Sequence, residues 1–267
     1  MKKFISIILA LSLMVTMCIP VFADVTNGVT YFGNTEFEKS GTTWTASKYW
    51  PIQNTLDFTV YAPYVEGASY SDNVLTIPVA NNTTDQTDWL YGETRYIGKS
   101  KDDGSISTKL NHGLSKITVK VWADVANVYD ITSLKLNETN QAGTLTVTYD
   151  NTSGAFSKIE SAVSNPASLS THEFIEETVT VNVTSSTAAK ELGSYYVFPS
   201  DDTSFTVTYN VAGGASGLTA DIPLTATWDC GKHYTYVVKF TANKIIFDKP
   251  VINAWDTTDN TKDVTVQ

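Results

Sequence analysis

The sequence predicts an all-β fold that is organised as two β-sandwiches. Short segments alternate polar and apolar residues, Thr, Val and Tyr are frequent, and turn-forming residues separate the segments. Because alternate residues of a strand share a sheet face, each segment can bury one face and expose the other. Many short strands separated by turns are typical of sandwiches and barrels.

The predicted strands follow one another along the whole chain, and residues 179–183 (VTVNV) show the alternation most clearly. The strands cover residues 56–61, 74–79, 115–122, 145–149, 177–184, 204–211, 222–228 and 234–247. A short helix is predicted over residues 155–165, because Phe156, Ile159 and Val163 are spaced by three and by four.

The first residues have the features of an export signal. Two lysines precede an apolar stretch that runs from residue 4 to about residue 19, and a small residue, Ala23, follows it. This pattern predicts residues 1–23 as a signal peptide that is cleaved between Ala23 and Asp24. Cys18 is an alternative, lipid-modified start, but Met17 before it is larger than a lipoprotein signal favours. The mature chain is therefore expected to be exported, and either secreted or held at the cell surface.

The mature chain is long enough for two sandwiches of ordinary size. We predict an N-terminal sandwich over residues 24–125 and a C-terminal one over residues 126–267. The formal net charge is −10, which disfavours nucleic acid as a partner. Cys230 is the only cysteine after the signal, so stability must come from core burial and not from an internal disulfide.

The sequence shows no constellation for catalysis. His112, His172 and His233 lie apart from one another, and HEFIE at 172–176 lacks the second histidine of a zinc-protease helix. Cys230 lies in a turn near His233, which is weak evidence for a nucleophile. We therefore predict no catalytic residue, no metal ligand and no cofactor.

Aromatic residues remain as candidates for binding. The six tryptophans are spread over the chain, and most are expected to fill the thin cores of the sandwiches. The alternative is a secreted carbohydrate-binding sandwich, in which exposed tryptophans stack on host or bacterial surface glycans.

Five motifs that occur in order resemble the fimbrillin family, the fimbrial subunits and related surface proteins of anaerobic Gram-negative bacteria. The series spans roughly residues 40–256 and consists of KYWP with LDFTVYAPY (48–64), DWLYGET (88–94), LNHGLSKITVKV (110–121), WDCGKHYTYVVKF (228–240) and INAW (252–255). The matching core positions are Tyr49, Trp50, Pro51, Leu56, Phe58, Trp89, Leu114, Ile117, Trp228, Gly231, Tyr234 and Trp255.

The resemblance implies two transthyretin-like β-sandwiches in tandem, with residues 229–232 as the turn of a C-terminal hairpin. It also implies a non-catalytic fimbrial or surface-adhesin subunit, associated with the outer membrane, that joins other subunits of the same or a related chain by strand exchange. An N-terminal strand is removed, and the strand of another subunit then pairs with the opened sheet edge.

The removable strand implied here lies within residues 24–37, with Val25, Val29, Tyr31 and Phe37 as its apolar residues. The chain departs from the best-known members of the family, which are cut after an arginine. No arginine precedes Arg95, so cleavage after a lysine or by another protease is expected. The twelve residues after Trp255 contain two apolar residues, which makes them a poor donor strand.

Overall fold

The computed structural model describes residues 19–25, 29–40, 43–45, 55–80, 86–100, 108–124, 128–140, 142–163, 169–199, 203–224, 227–241, 244–255 and 261–262. Within these ranges the chain forms strands, one 3₁₀ turn at Ser186–Ala188 and no α-helix. The prediction of an all-β fold is confirmed.

The strands of the first half are β1 (Ile19–Val25), β2 (Val29–Ser40), β3 (Thr43–Thr45), β4 (Leu56–Ala62), β5 (Ser69–Ser71), β6 (Val74–Ala80), β7 (Leu90–Gly92), β8 (Tyr96–Lys99), β9 (Thr108–His112), β10 (Ser115–Ala123) and β11 (Tyr129–Asn140). Those of the second half are β12 (Ala142–Tyr149), β13 (Phe156–Val163), β14 (Leu169–Glu173), β15 (Val179–Val181), β16 (Lys190–Val197), β17 (Ser204–Val211), β18 (Leu218–Pro223), β19 (Lys232–Phe240), β20 (Ile245–Phe247), β21 (Val251–Ala254) and β22 (Thr261–Lys262).

Two of the four sheets form the first sandwich. The larger sheet has the strand order β22-β9-β7-β4-β1-β2-β3, with β8 also paired to β4. The smaller sheet has the order β13-β12-β6-β5. Alternate apolar residues of the two sheets meet in a buried cluster that includes Tyr61, Ile77, Tyr91, Leu145 and Val147. The period-two pattern of the sequence is therefore what builds this core.

The other two sheets form the second sandwich. Their strand orders are β16-β10-β19-β20, with β21 on β19, and β14-β11-β17-β18, with β15 on β11. Both sheets contribute to a second buried cluster, whose members include Val119, Leu134, Val207, Trp228 and Tyr236. Strands β10 and β19 pair in parallel, although more than a hundred residues separate them in sequence.

The chain passes between the two sandwiches more than once. Strand β10 precedes residue 125 but pairs with β16 and β19 of the second sandwich. Strands β12 and β13 follow residue 125, and β12 pairs with β6 of the first sandwich. A division of the chain at residue 125 thus cuts through hydrogen-bonded sheets of both sandwiches. Residues 125–127 lie outside the described residues, and the boundary there stays a prediction.

The helix expected over residues 155–165 is wrong, because β13 occupies this segment. The register with β12 shifts between Thr148 and Tyr149, so Phe156 lies opposite Tyr149 and Ile159 lies opposite Val147. One extra residue in the bulged strand therefore places Phe156 and Ile159 on the same sheet face. The spacing of three residues between Phe156 and Ile159 suggested a helix, but it results from the ordinary strand spacing of two residues plus one extra residue in the bulge.

Three predicted strands are divided or shortened in the structure. Residues 234–247 form two strands, β19 and β20, and β15 covers only three residues of 177–184. Strand β18 ends at Pro223, so residues 222–228 are not one strand. Proline has no N–H to donate to the ladder, which favours a strand end at that position.

Candidate functional site

Strand β1 is an internal strand of the larger sheet of the first sandwich. It pairs antiparallel with β2 on one side and with β4 on the other. In the pairing with β4, Val21 lies opposite Val60, Ala23 opposite Phe58, and Val25 opposite Leu56. We call the place that β1 occupies between β2 and β4 the β1 slot.

The walls of the β1 slot are apolar and buried. Leu56, Phe58 and Val60 of β4 are almost completely buried, and so is Phe37 of β2. Loss of β1 would leave two rows of backbone N–H and C=O groups unpaired and would wet this apolar surface. A vacant β1 slot is therefore a surface that favours an extended strand.

Strands β2 and β4 are also joined by a contact that does not involve β1. The Tyr61 hydroxyl donates to Asn34 Oδ1 at 2.6 Å and lies 3.1 Å from the Val65 carbonyl oxygen. Asn34 Nδ2 donates to the same carbonyl at 3.0 Å. Burial raises the pKa of Tyr61 to about 12, so the hydroxyl remains a donor at neutral pH. This contact holds β2 and β4 together independently of β1.

The predicted processing residues fall on both strands of this region. Val25 is the last residue of β1, whereas Val29, Tyr31 and Phe37 lie on β2. The predicted cleavage site, Ala23 and Asp24, lies within β1. Cys18, the alternative start, lies outside the described residues. The strand that has a partner on each side is β1, which begins before the predicted 24–37 segment.

Most of the motif residues are core residues of the two sandwiches. Those that are nearly or fully buried are Leu56, Phe58, Trp89, Leu114, Ile117, Trp228 and Tyr234. Gly231 has a φ of +69°, which favours glycine in the turn that precedes β19. Residues 227–229 before this turn are not a strand, so the expected hairpin at 229–232 is a turn alone. Tyr49, Trp50 and Pro51 lie outside the described residues.

His112 and Trp255 form a stacked pair at the end of β9. Their ring centroids are 3.7 Å apart and their planes differ by 2°. His112 Nδ1 lies 2.8 Å from a carboxylate oxygen of Asp88, and Tyr196 packs on Trp255 with a centroid distance of 5.0 Å. Beyond Trp255, β22 pairs with β9. The stack thus fixes Trp255 against the end of β9.

The other two histidines do not complete a reactive pair. His172 is buried against the Tyr195 ring, and burial lowers its pKa to about 4. His233 Nε2 lies 2.7 Å from Thr118 Oγ1, and burial lowers its pKa as well. Burial raises the pKa of the Cys230 thiol, which opposes thiolate formation. Among the described residues no group of His, Cys, Asp and Glu is arranged to hold a metal ion.

The described tryptophans do not form an open stacking platform. Trp89 and Trp228 are buried. Trp122 is half-buried, and Lys239 Nζ lies 4.9 Å from the centre of its ring. Trp255 is half-buried as well, but it is stacked as described above. The side chains of two further tryptophans are not described: Trp44 and Trp50.

The sequence pattern did not reveal the contacts that surround the β1 slot. Asn34 and Tyr61 meet only because β2 and β4 flank β1, and Asp57 meets Arg95 in the same region. Asp57, the one charged residue of segment 56–62, was the one available signal. In the part of the chain that the structure describes, no helix is long and apolar enough to cross a membrane.

The fold and the β1 slot define an all-β protein whose described strands form several hydrogen-bonded sheets. A family model described as fimbrillin-like matches residues 16–255, and the chain belongs to this family. It is a family of fimbrial and cell adhesion proteins, and not of enzymes. The match begins before β1 and ends at Trp255, so it includes the β1 slot.

Solved structures share this fold. A fimbrial protein from Bacteroides vulgatus is 16% identical, with a TM-score of 0.63 over 90% of this chain and 92% of that one. A proposed cell adhesion protein from Bacteroides uniformis is 17% identical, with a TM-score of 0.58 over 90% and 92% of the two chains. One from Bacteroides ovatus is 18% identical, with a TM-score of 0.55 over 90% and 87%. A search of curated proteins finds no match.

Proposed function

We propose that this protein is an exported, non-catalytic fimbrial or surface-adhesion subunit that joins other subunits by strand complementation in the β1 slot. The observation that carries the proposal is the position of β1. This strand comes from the N-terminal end of the described chain, yet it is internal in its sheet. A strand from another subunit of the same or a related chain can take its place without any change in the rest of the fold.

The free energy favours a β1 slot that is filled by another strand over a β1 slot that is left empty. Each buried backbone group left without a partner costs about 1–3 kcal/mol, and each large apolar side chain that an incoming strand buries contributes about 1.5–3 kcal/mol. Ordering the incoming strand offsets part of this gain. The balance favours a long-lived joint, because the β1 slot offers both an unpaired backbone on two sides and buried apolar walls.

The position of β1 also constrains how the β1 slot is opened. Cleavage after Ala23 would remove the residues that pair with Phe58, Thr59 and Val60, so signal removal alone would vacate part of the β1 slot. Cleavage at Cys18 would instead leave β1 complete. Arg95 is 8% exposed and is a poor protease site in the folded protein. Lys39 lies in β2, opposite Trp44 of β3.

The test compares two forms of the protein, one with residues 19–267 and one with residues 26–267. A synthetic peptide of residues 19–25 is expected to bind the shorter form and not the longer one, in a titration followed by calorimetry. The control is the same peptide with Phe22→Pro, which removes a backbone donor from the ladder. Equal binding of both peptides, or of neither, contradicts the proposal.

Assembly is tested separately. The shorter form, mixed with subunits that carry a free strand, is expected to give a ladder of species that survives unheated SDS. The mature N-terminus, measured by mass spectrometry on exported protein, decides between a start at residue 18 and one at residue 24. A shorter form that stays monomeric with every partner subunit would refute assembly through this site.

A further inference from the structure

Strand β2 is joined to the rest of its sheet through β1. Among the described strands, β2 pairs with β1 on one side and with β3 on the other, and β3 is the end strand of this sheet. Loss of β1 therefore removes the ladder hydrogen bonds that connect the hairpin of β2 and β3 to the sheet. The β1 slot keeps both of its walls only if another contact holds this hairpin in place.

Asn34 of β2 lies at a position where the backbone re-aims a side chain. The β1–β2 register passes from the pair Val21–Thr35 to the pair Ala23–Phe32, so β2 has one residue more than β1 in this interval. Such a bulge turns a side chain out of the regular alternation of the strand. Asn34 lies in the bulge with a φ of +43°, in the left-handed region that Asn tolerates better than most residues do.

Asn34 reaches the opposite wall of the β1 slot with both ends of its amide group. Its Oδ1 accepts a hydrogen bond from the Tyr61 hydroxyl of β4 at 2.6 Å, and its Nδ2 donates to the Val65 carbonyl at 3.0 Å. Val65 lies in the loop that follows β4. We call these two hydrogen bonds the Asn34 clamp. Because β1 takes no part in them, the Asn34 clamp can persist when the β1 slot is empty.

The partners of Asn34 are fixed by the core of the first sandwich. The Tyr61 ring is completely buried, in the same cluster as Ile77 and Leu145, and Val65 packs against this cluster. Ile77 and Leu145 belong to the smaller sheet, which does not contain β1. The Asn34 clamp therefore ties the hairpin of β2 and β3 to side chains that the opposite sheet holds in place.

We infer that the Asn34 clamp keeps the empty β1 slot open, with both walls in position for an incoming strand. This inference rests on the proposed function, because strand exchange needs a vacant slot that can be filled again. A preformed site binds faster and more tightly than one whose competent form is populated only part of the time. Asn34 and Tyr61 are positioning residues here, since they act on the incoming strand through the placement of β2.

The first test measures the rates at which a labelled peptide of residues 19–25 binds to and leaves the protein of residues 26–267. Asn34→Gly removes the Asn34 clamp and keeps a residue that adopts a positive φ, whereas Tyr61→Phe removes the hydroxyl alone. We expect both variants to bind the peptide about tenfold more slowly, which corresponds to the loss of about one hydrogen bond. The release rate should not change. Altered contacts with a partner act mostly on release, so this split between the two rates identifies a positioning role.

Tyr149→Phe is the matched control. Tyr149 is buried in the same cluster as Tyr61, and its hydroxyl donates to the Gly92 carbonyl at 2.8 Å. This hydrogen bond joins β12 to β7 and does not involve β2. The control variant should lose stability and keep the association rate of the parent protein. An equal loss of association rate in Tyr149→Phe, or clamp variants that change only the release rate, would overturn the inference.

The second test needs no peptide and follows cleavage after Lys39 of β2 by a lysine-specific protease, with the fragments identified by mass. In the protein of residues 26–267, Asn34→Gly and Tyr61→Phe should be cleaved there about tenfold faster than the parent, because cleavage follows the population of detached hairpin. In the protein of residues 19–267 this difference should disappear, since β1 then holds β2.

The two tests separate the inference from the proposed function. If the protein of residues 26–267 binds no peptide, the proposed function fails, and the cleavage rates still decide whether the Asn34 clamp holds the hairpin. Equal cleavage after Lys39 in the parent and in both clamp variants, or an equal increase in Tyr149→Phe, would refute the inference.

Discussion

Tyr61→Phe tests how strongly the two walls of the β1 slot are joined. The substitution keeps the buried ring and removes the hydroxyl that donates to Asn34 Oδ1 and lies 3.1 Å from the Val65 carbonyl oxygen. A buried polar group left without its partner costs about 1–3 kcal/mol. We expect the free energy of unfolding to fall by that amount at pH 7, because Asn34 Oδ1 loses the donor at 2.6 Å, whereas the Val65 carbonyl keeps Asn34 Nδ2 as a donor.

The same variant has a distinct pH dependence. Burial raises the pKa of Tyr61 from 10.0 to about 12, so the unfolded chain loses this proton first. Between pH 10 and pH 12 the folded state binds more protons than the unfolded state, and stability falls as the pH rises. This linkage removes about 1.4 kcal/mol of the hydroxyl's contribution by pH 11. The stability difference between the native protein and Tyr61→Phe should therefore narrow between pH 9 and pH 11.

The assay is urea unfolding followed by tryptophan fluorescence, at pH 7, 9 and 11, for both proteins. The other buried tyrosines titrate in both proteins, so their contributions cancel in the difference. Equal stability of the two proteins at pH 7 would refute the bonding argument. A difference that widens with pH would refute the linkage argument.

Two further predictions concern Gly154 and His172, which are both buried. Gly154→Ala should destabilise the protein by several kcal/mol more than Gly217→Ala, as measured by thermal unfolding. Both glycines have a positive φ, but a Cβ at Gly154 would lie 2.1 Å from the Arg95 carbonyl oxygen, whereas a Cβ at Gly217 would meet no atom within 4 Å. Burial lowers the pKa of His172 to about 4, so the unfolded chain takes up the proton at a higher pH than the folded protein does. Lowering the pH from 7 to 5 should therefore reduce the free energy of unfolding by about 2 kcal/mol. A His172→Gln variant should lose this acid sensitivity.

The sequence pattern is a good guide where one local period controls the structure. Strands β4, β6, β10 and β17 follow the predicted alternation, and their inward residues are buried. The pattern misleads where the backbone departs from strict alternation. In β13 a bulge puts Phe156 and Ile159 on one face, and a bulge has no period that a sequence window can detect.

The β1 slot and its surroundings depend on pairings that local sequence does not encode. Residues 19–25 have the composition of the end of an export signal, and only the pairing with β4 shows that they belong to a sheet. In the sequence, Arg95 is notable only because no arginine precedes it, so an arginine-directed protease has no site before residue 95. Its position between Tyr70 and Asp57 follows from the stacking of two sheets, which no short segment predicts.

The return of β12 and β13 to the first sandwich has a consequence for biogenesis. The sheet that contains β5 and β6 gains its central partner only when residues 142–163 are available, so the N-terminal half cannot finish folding while it emerges. A secreted precursor has to cross a membrane pore as an unfolded thread. If the chain is exported as proposed, late completion of its first half keeps it unfolded until more than half of its length has crossed the membrane.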